Sequence, residues 1–139
     1  MQLRINNMKK LIVIFLFSFV VNMVWENAHS LLYANYMGGL ITETILARAA
    51  LWDAVIIALI CLPFLYISTF KESSWLIIVF GVAVAIAIEL YALNADRWAY
   101  NAYMPLIPII KIGLTPTIQL GALGYLSFLF QKKLFDKLT

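Results

Sequence analysis

The sequence has few charged residues for its length. Charged residues make up 12% of the 139 residues and hydrophobic residues 64%, whereas soluble domains carry roughly 25% charged and about 45–50% apolar residues. A soluble fold of this size could not bury so much apolar surface. The composition therefore excludes an ordinary soluble domain and predicts an integral membrane protein with one transmembrane domain, 1–139, and no separate soluble part.

Cysteine and histidine each occur only once. The single thiol, Cys61, excludes an intrachain disulfide, a CxxC redox pair and a thiolate zinc site. Because zinc sites usually use several His or Cys ligands, we expect neither a metal nor another cofactor. The sequence has no glycine-rich phosphate loop, and its aromatic residues lie in apolar runs, away from Lys and Arg. Nucleic acid is therefore not an expected partner.

Four apolar segments are long enough to cross a membrane, which takes about 20 residues. They lie at about 8–36, 42–70, 75–100 and 115–131. Pro105, Pro108 and Pro116 prevent a regular helix between the last two, and the aromatic residues nearby suit the membrane interface. The predicted fold is all-α: a polytopic four-transmembrane-helix bundle with a proline-rich interfacial or re-entrant segment between helices 3 and 4.

Positive charge is unevenly divided between the two sides of this bundle. The side with both termini has Arg4, Lys9, Lys10, Lys71, Lys132, Lys133 and Lys137, and the other has Arg48, Arg97 and Lys111. The positive-inside rule then places both termini in the cytoplasm. We expect a multi-pass protein of the cell membrane, specifically a bacterial inner membrane. The first apolar run lacks a small-x-small cleavage site, so we expect it to be retained as a helix.

Polar side chains recur at helical spacing within the first apolar segment. Asn22, Glu26, His29 and Tyr33 are separated by four, three and four residues, which places them on one face of an α-helix. Polar and ionisable groups are costly in lipid and normally face a bundle interior or a wet cavity. This stripe therefore predicts a polar interior.

Other segments have polar residues at a similar depth. At 1.5 Å per residue, Asn22, Glu89 and Gln119 fall at one level in the outer half of the membrane. We predict an outward-facing pocket there, with Glu89 opposite the stripe and the proline-rich segment above it. The alternative is that these residues only join helices by hydrogen bonds. The predicted substrate-binding residues are Asn22, Tyr33, Asp53, Asp96, Arg97 and Gln119.

Three residues of this set are the predicted catalytic groups. Glu26 and His29 are three residues apart, so they can touch, or converge on one ligand, as a proton-transfer pair. Glu89 lies among apolar neighbours, where a neutral carboxyl could donate a proton. Pairing of Glu89 with Arg97 or Arg48 would instead make it structural.

Three function classes fit these features. The leading hypothesis is a membrane-embedded enzyme that performs acid–base chemistry on a lipid or other apolar substrate. The alternatives are an accessory or chaperone subunit of a membrane complex and a small oligomeric ion-coupled transporter, since intramembrane carboxyls suit that class too. The expected partners are the lipid bilayer, a lipid or apolar small molecule, and a second copy of the chain or a membrane-complex subunit.

Overall fold

The computed structural model describes residues 2–137 and is 74% helical, which confirms the predicted helical class. The four long helices are α1 (Gln2–His29), α2 (Glu43–Tyr66), α4 (Leu76–Asn94) and α5 (Leu114–Asp136), and α3 (Ser68–Lys71) is a single turn. A 3₁₀ turn, Ser30–Leu32, follows α1. Two short strands, β1 (Tyr33–Tyr36) and β2 (Trp98–Tyr100), pair antiparallel.

The paired strands end two helices earlier than the sequence predicts. Helix α1 ends at His29 and not near 36, and α4 ends at Asn94 and not near 100. Aromatic residues favour strands, and here Tyr33 lies opposite Tyr100 and Tyr36 opposite Trp98. The ladder satisfies backbone groups that would otherwise end unpaired, so Tyr33 leaves the helical stripe and joins a strand.

A tight turn follows β1 and leads the chain into α2. Met37 and Gly38 both have positive φ, at 49° and 74°. Tyr36 and Gly39 exchange backbone hydrogen bonds of 3.1 and 2.9 Å across the turn. Thr42 then caps α2, because its side chain accepts a hydrogen bond from the backbone N–H of Ile45. This turn fixes the start of α2 close to the strand pair.

Within residues 2–137, three helical segments are long and apolar enough to cross a membrane: Arg4–Leu32, Glu43–Tyr66 and Leu76–Asn94. The predicted fourth span corresponds to α5, which is not in this set. Helix α5 packs against α1, α2 and α4, and it buries the polar residues Gln119, Ser127 and Gln131. The apolar sequence of α5 is thus interrupted by polar side chains that are buried in the protein.

The half of the bundle that carries both chain ends is closely packed and apolar. Its core includes Ile14, Phe64 and Phe128. Helices α4 and α5 touch through their backbones: a Cβ on Gly81 would lie 2.4 Å from the Cα of Gly121. We call this region the terminal half, and the opposite region, around Glu26 and Gln119, the cavity half.

The chain between β2 and α5 contains no long helix, as its prolines predict. It is tied to the end of α1, since the backbone N–H of Asn101 donates to the carbonyl of Leu32 at 3.0 Å. Its base is closed by a hydrogen bond from Leu114 N–H to the Pro105 carbonyl at 2.7 Å. Met104 is buried, whereas Ile109 at the tip is 92% exposed.

Candidate functional site

A cavity of about 250 Å³ opens in the cavity half. Its walls come from α1, α2, α4, α5 and the strand pair, and most of the lining is apolar. In the terminal half, α2 and α4 approach each other, with the rings of Phe64 and Phe80 6.2 Å apart. The cavity therefore lies between the helices where this packing ends. Six of the predicted site residues line it: Glu26, His29, Tyr33, Asp53, Glu89 and Gln119.

Gln119 joins three helices at the base of the cavity. Its side-chain Nε2 lies 2.9 Å from Asn22 Oδ1, 2.6 Å from Glu26 Oε1 and 2.8 Å from Asp53 Oδ2. A primary amide has only two hydrogens, so three acceptors compete for two donors. The structure thus brings together four residues that the sequence places on α1, α2 and α5.

Glu26 and Asp53 lie side by side, because Glu26 Oε1 and Asp53 Oδ2 are 2.6 and 2.8 Å from the same nitrogen, Gln119 Nε2. Two carboxyl groups that share one site do not ionise together. The Glu26–Asp53 pair, as we call it below, can therefore store one proton beside the cavity.

Glu89 has a different hydrogen-bond environment on the opposite wall. Its Oε2 accepts from Trp98 Nε1 at 3.3 Å and from the Tyr100 hydroxyl. The same hydroxyl accepts from the backbone N–H of Gly113 at 3.0 Å, which orients its hydrogen toward Glu89. Two donors aimed at one carboxylate oxygen favour the ionised form. Burial opposes this by favouring the neutral form, so the two donors hold Glu89 as a hydrogen-bond acceptor without fixing its charge.

His29 lies on the cavity wall without a hydrogen-bond partner on either ring nitrogen, although it is only 7% exposed. The direct Glu26–His29 hydrogen bond considered from the sequence does not form. Glu26 accepts from Gln119 instead, and the imidazole lies beside the rings of Trp25 and Tyr33, with centroids 6.1 and 5.0 Å away. Convergence of Glu26 and His29 on a common ligand stays a prediction.

Two tyrosines near the carboxyl groups keep their protons. Burial, and next the charge of Glu89, raise the pKa of Tyr33. Burial, and next the hydrogen bond to Glu89, raise the pKa of Tyr100. Both phenols therefore stay neutral over the ordinary pH range and can serve as hydrogen-bond donors there.

Three predicted site residues lie outside the cavity lining. Asn22 is fully buried beneath it, where its Nδ2 donates to the Ser18 carbonyl at 2.8 Å while its Oδ1 accepts from Gln119. Asp96 has φ of 49° in the turn between α4 and β2. Arg97 is exposed, and its backbone carbonyl accepts from Met37 N–H at 2.7 Å. This turn redirects the chain, so the Glu89 face of α4 does not continue to Arg97.

The structure adds lining residues that the sequence prediction omitted. Trp52 and Arg48 come from α2, one turn apart, and Tyr36 and Trp98 come from the strand pair. Arg48 Nη2 donates to the Tyr36 hydroxyl at 3.4 Å. The four-residue spacing between Arg48 and Trp52 was a usable signal, whereas the strand pairing depends on a contact between distant segments.

The chain matches no protein-family model, no curated protein and no solved structure. The described residues contain no group of three or more His, Cys, Asp or Glu side chains that could hold a metal ion. The site therefore has to be interpreted from its own groups: a proton-bearing carboxyl pair, a separate carboxyl with two donors, and apolar and aromatic walls.

Proposed function

We propose that the chain is a four-span protein of the cell membrane, of the bacterial inner-membrane type, with both termini cytoplasmic. Three apolar helices of sufficient length support this, with α5 as the fourth span. Ile12, Leu16, Val20 and Val24 are each more than half exposed along one face of α1, as expected of a surface in lipid. The proline-rich segment would then lie at the outer interface, above the cavity.

This topology is tested with reporter fusions at the C-terminus. A cytoplasmic reporter should be active there, and one that works only outside the cytoplasm should be inactive. Activity of the external reporter alone would contradict the orientation.

We further propose that the cavity binds a lipid or other apolar molecule and performs acid–base chemistry on it. The observation that supports this most is the placement of three carboxyl groups in one mostly apolar cavity, with two different hydrogen-bond environments. Enzymes commonly separate an acid from a base by giving two carboxyls different surroundings.

In this proposal the Glu26–Asp53 pair is the acid and Glu89 is the base. The pair would transfer its proton to one atom of the substrate, and Glu89 would accept a proton from another. One proton is donated and one is accepted in this exchange, so the reaction needs no oxidant or reductant. The cavity half carries these groups on three different helices, α1, α2 and α4, which would position them on opposite sides of a bound molecule.

The experiment compares the lipid and isoprenoid profiles of cells with and without the gene, complemented by variants. We expect the deletion profile to be restored by the parent chain but not by Glu89→Gln or Asp53→Asn. Glu72→Gln is the matched control, since Glu72 is exposed in the turn after α3 and should restore the profile fully.

Two results would contradict the enzyme proposal. Full restoration by both Glu89→Gln and Asp53→Asn would remove the acid–base roles. An unchanged profile, together with proton-coupled uptake by liposomes or stable copurification of a membrane subunit, would favour the transporter or the accessory-subunit alternative.

A further inference from the structure

The charges and rings that surround the cavity indicate the class of molecule that fits it. We infer that the cavity takes a lipophilic amine, with the protonated nitrogen among Glu26, Asp53 and Glu89 and the hydrocarbon part against the apolar walls. This inference rests on the proposed function, because it names the substrate class for the same cavity.

The first argument is the balance of charge. Of the described lining residues, three are acidic and only Arg48 is a Lys or Arg. With one proton on the Glu26–Asp53 pair, two carboxyl groups can still ionise opposite one guanidinium. Arg48 is exposed and bonded to Tyr36, so it lies at the edge of the site. An ammonium group would neutralise the remaining charge where burial makes it most costly.

The second argument is the aromatic wall beside the carboxyl groups. Tyr36 stacks on Trp98 with centroids 6.5 Å apart, and Tyr33 meets Trp98 edge-on at 6.2 Å. The faces of Trp and Tyr rings attract cations at distances within about 6 Å. Trp52 on α2 also lines the cavity. A cation at this wall would be attracted both by the aromatic rings and by the carboxyl groups.

The third argument is independent of the acidic residues. His29 is buried and lines the cavity, and neither of its ring nitrogens has a partner. Buried polar atoms without a hydrogen bond are rare, and each one requires an explanation such as strain, a catalytic role or a bound water or ligand. A neutral imidazole offers one acceptor nitrogen, which an ammonium N–H could satisfy.

The remaining walls suit the apolar part of such a molecule. Ile41, Ile45, Ile56 and Ile88 line the same cavity. Burial of hydrocarbon against them is favourable in proportion to the apolar area removed from water. The expected ligand therefore combines one protonated amine with a hydrocarbon group, whereas a carboxylate of equal chain length would meet like charge.

The test uses three probes with the same ten-carbon chain: decylamine, decanol and decanoate. Binding to the purified full chain in phosphatidylcholine nanodiscs is measured at pH 7 by calorimetry, with empty nanodiscs subtracted to remove partition into lipid. We expect decylamine to bind at least tenfold more tightly than decanol, and decanoate more weakly still. The Glu26→Gln, Asp53→Asn double variant should lose the preference, whereas Glu72→Gln should keep it.

Three results would overturn the inference: equal binding of decanol and decylamine, tighter binding of decanoate, or an amine preference that persists in the double variant. If the double variant loses helical circular dichroism, the probe series on the parent chain and on Asp53→Asn decides. A preference for decanol would contradict the amine inference but not the proposed acid–base chemistry, which could act on a neutral substrate. The complementation experiment tests that chemistry separately.

Discussion

The two halves of the bundle use the same four helices for different purposes. In the terminal half, Gly81 and Gly121 bring backbones into contact and apolar rings fill the space between helices. In the cavity half, Gln119 links three polar partners and the helices separate around a cavity of about 250 Å³. Close packing thus ends where Gln119 and the carboxyl groups begin.

The difference shows where stability and chemistry are located. Apolar packing stabilises the terminal half without specific partners, whereas each buried polar group of the cavity half depends on one. His29 has none, and three acceptors share one amide group at Gln119. The cavity half therefore contains buried polar atoms whose hydrogen-bonding capacity is not fully used. A closely packed structural region would not contain them.

The largest effect is expected at the backbone contact of the terminal half. A Cβ at Gly81 would lie 2.4 Å from backbone atoms of Gly121 and 2.7 Å from the carbonyl carbon of Leu120. Because backbone atoms cannot rotate away, Gly81→Ala should lower the free energy of unfolding by about 3 kcal/mol, the upper end of overpacking costs. Unfolding of the purified protein in detergent, followed by circular dichroism, measures this.

Gly39→Ala is the matched control for that substitution. The nearest atom to a Cβ on Gly39 is the Tyr36 carbonyl oxygen at 3.6 Å, an ordinary contact. The control should unfold close to the parent. Equal stability of Gly81→Ala and Gly39→Ala would show that the helices separate easily, and the contrast between the halves would fail.

An intermediate effect is expected at Gln119. Gln119→Leu keeps a similar volume but removes the donor shared by Asn22, Glu26 and Asp53. Unsatisfied buried groups cost about 1–3 kcal/mol each, and the carboxyl pair can recover part of this by contact with water in the cavity. We expect a loss of about 2 kcal/mol in the same unfolding measurement.

Ser127→Ala provides the comparison in the terminal half. The Ser127 hydroxyl donates only to the Leu123 carbonyl of its own helix, at 2.6 Å, and that carbonyl keeps its backbone role without it. The expected loss is about 0.5 kcal/mol, the low end for one hydrogen bond. If Ser127→Ala costs as much as Gln119→Leu, polar groups matter equally in both halves.

Periodicity and depth predicted the polar residues of the site better than its cap. Asn22, Glu26 and Gln119 come together because helical spacing and the 1.5 Å rise fix side-chain positions within a helix. Asp53 also contacts Gln119, as expected of a residue predicted to line the same pocket. These are local rules, so the sequence alone carries them.

The strand pair could not be predicted in the same way. Its residues are mostly aromatic, which suits a helix end as well as a strand, and the pairing joins Tyr33 to Tyr100, about half the chain apart. That pairing moves Trp98 and Tyr100 onto Glu89, while the turn at Asp96 leaves Arg97 outside. Contacts between distant segments, not local preference, decided these positions.

A smaller effect than that at Gln119 is expected at Tyr100, which makes the cavity half sensitive to alkaline pH. Burial, and next the hydrogen bond to Glu89, raise the pKa of Tyr100 in the folded chain, whereas an unfolded tyrosine titrates near about pH 10. The neutral phenol therefore stabilises the fold fully below about pH 10. This contribution is lost as the pH rises further, because the unfolded chain ionises first.

Tyr100→Phe removes that titration together with the hydroxyl that joins Gly113 to Glu89. It should cost about 1 kcal/mol at neutral pH, and the decline of stability above about pH 10 should become shallower than in the parent. Denaturant unfolding at a series of pH values measures both. An alkaline slope identical to the parent's would show that Tyr100 ionises equally in the folded and unfolded chains, and that Glu89 lies in a wetter and more open environment than its contacts indicate.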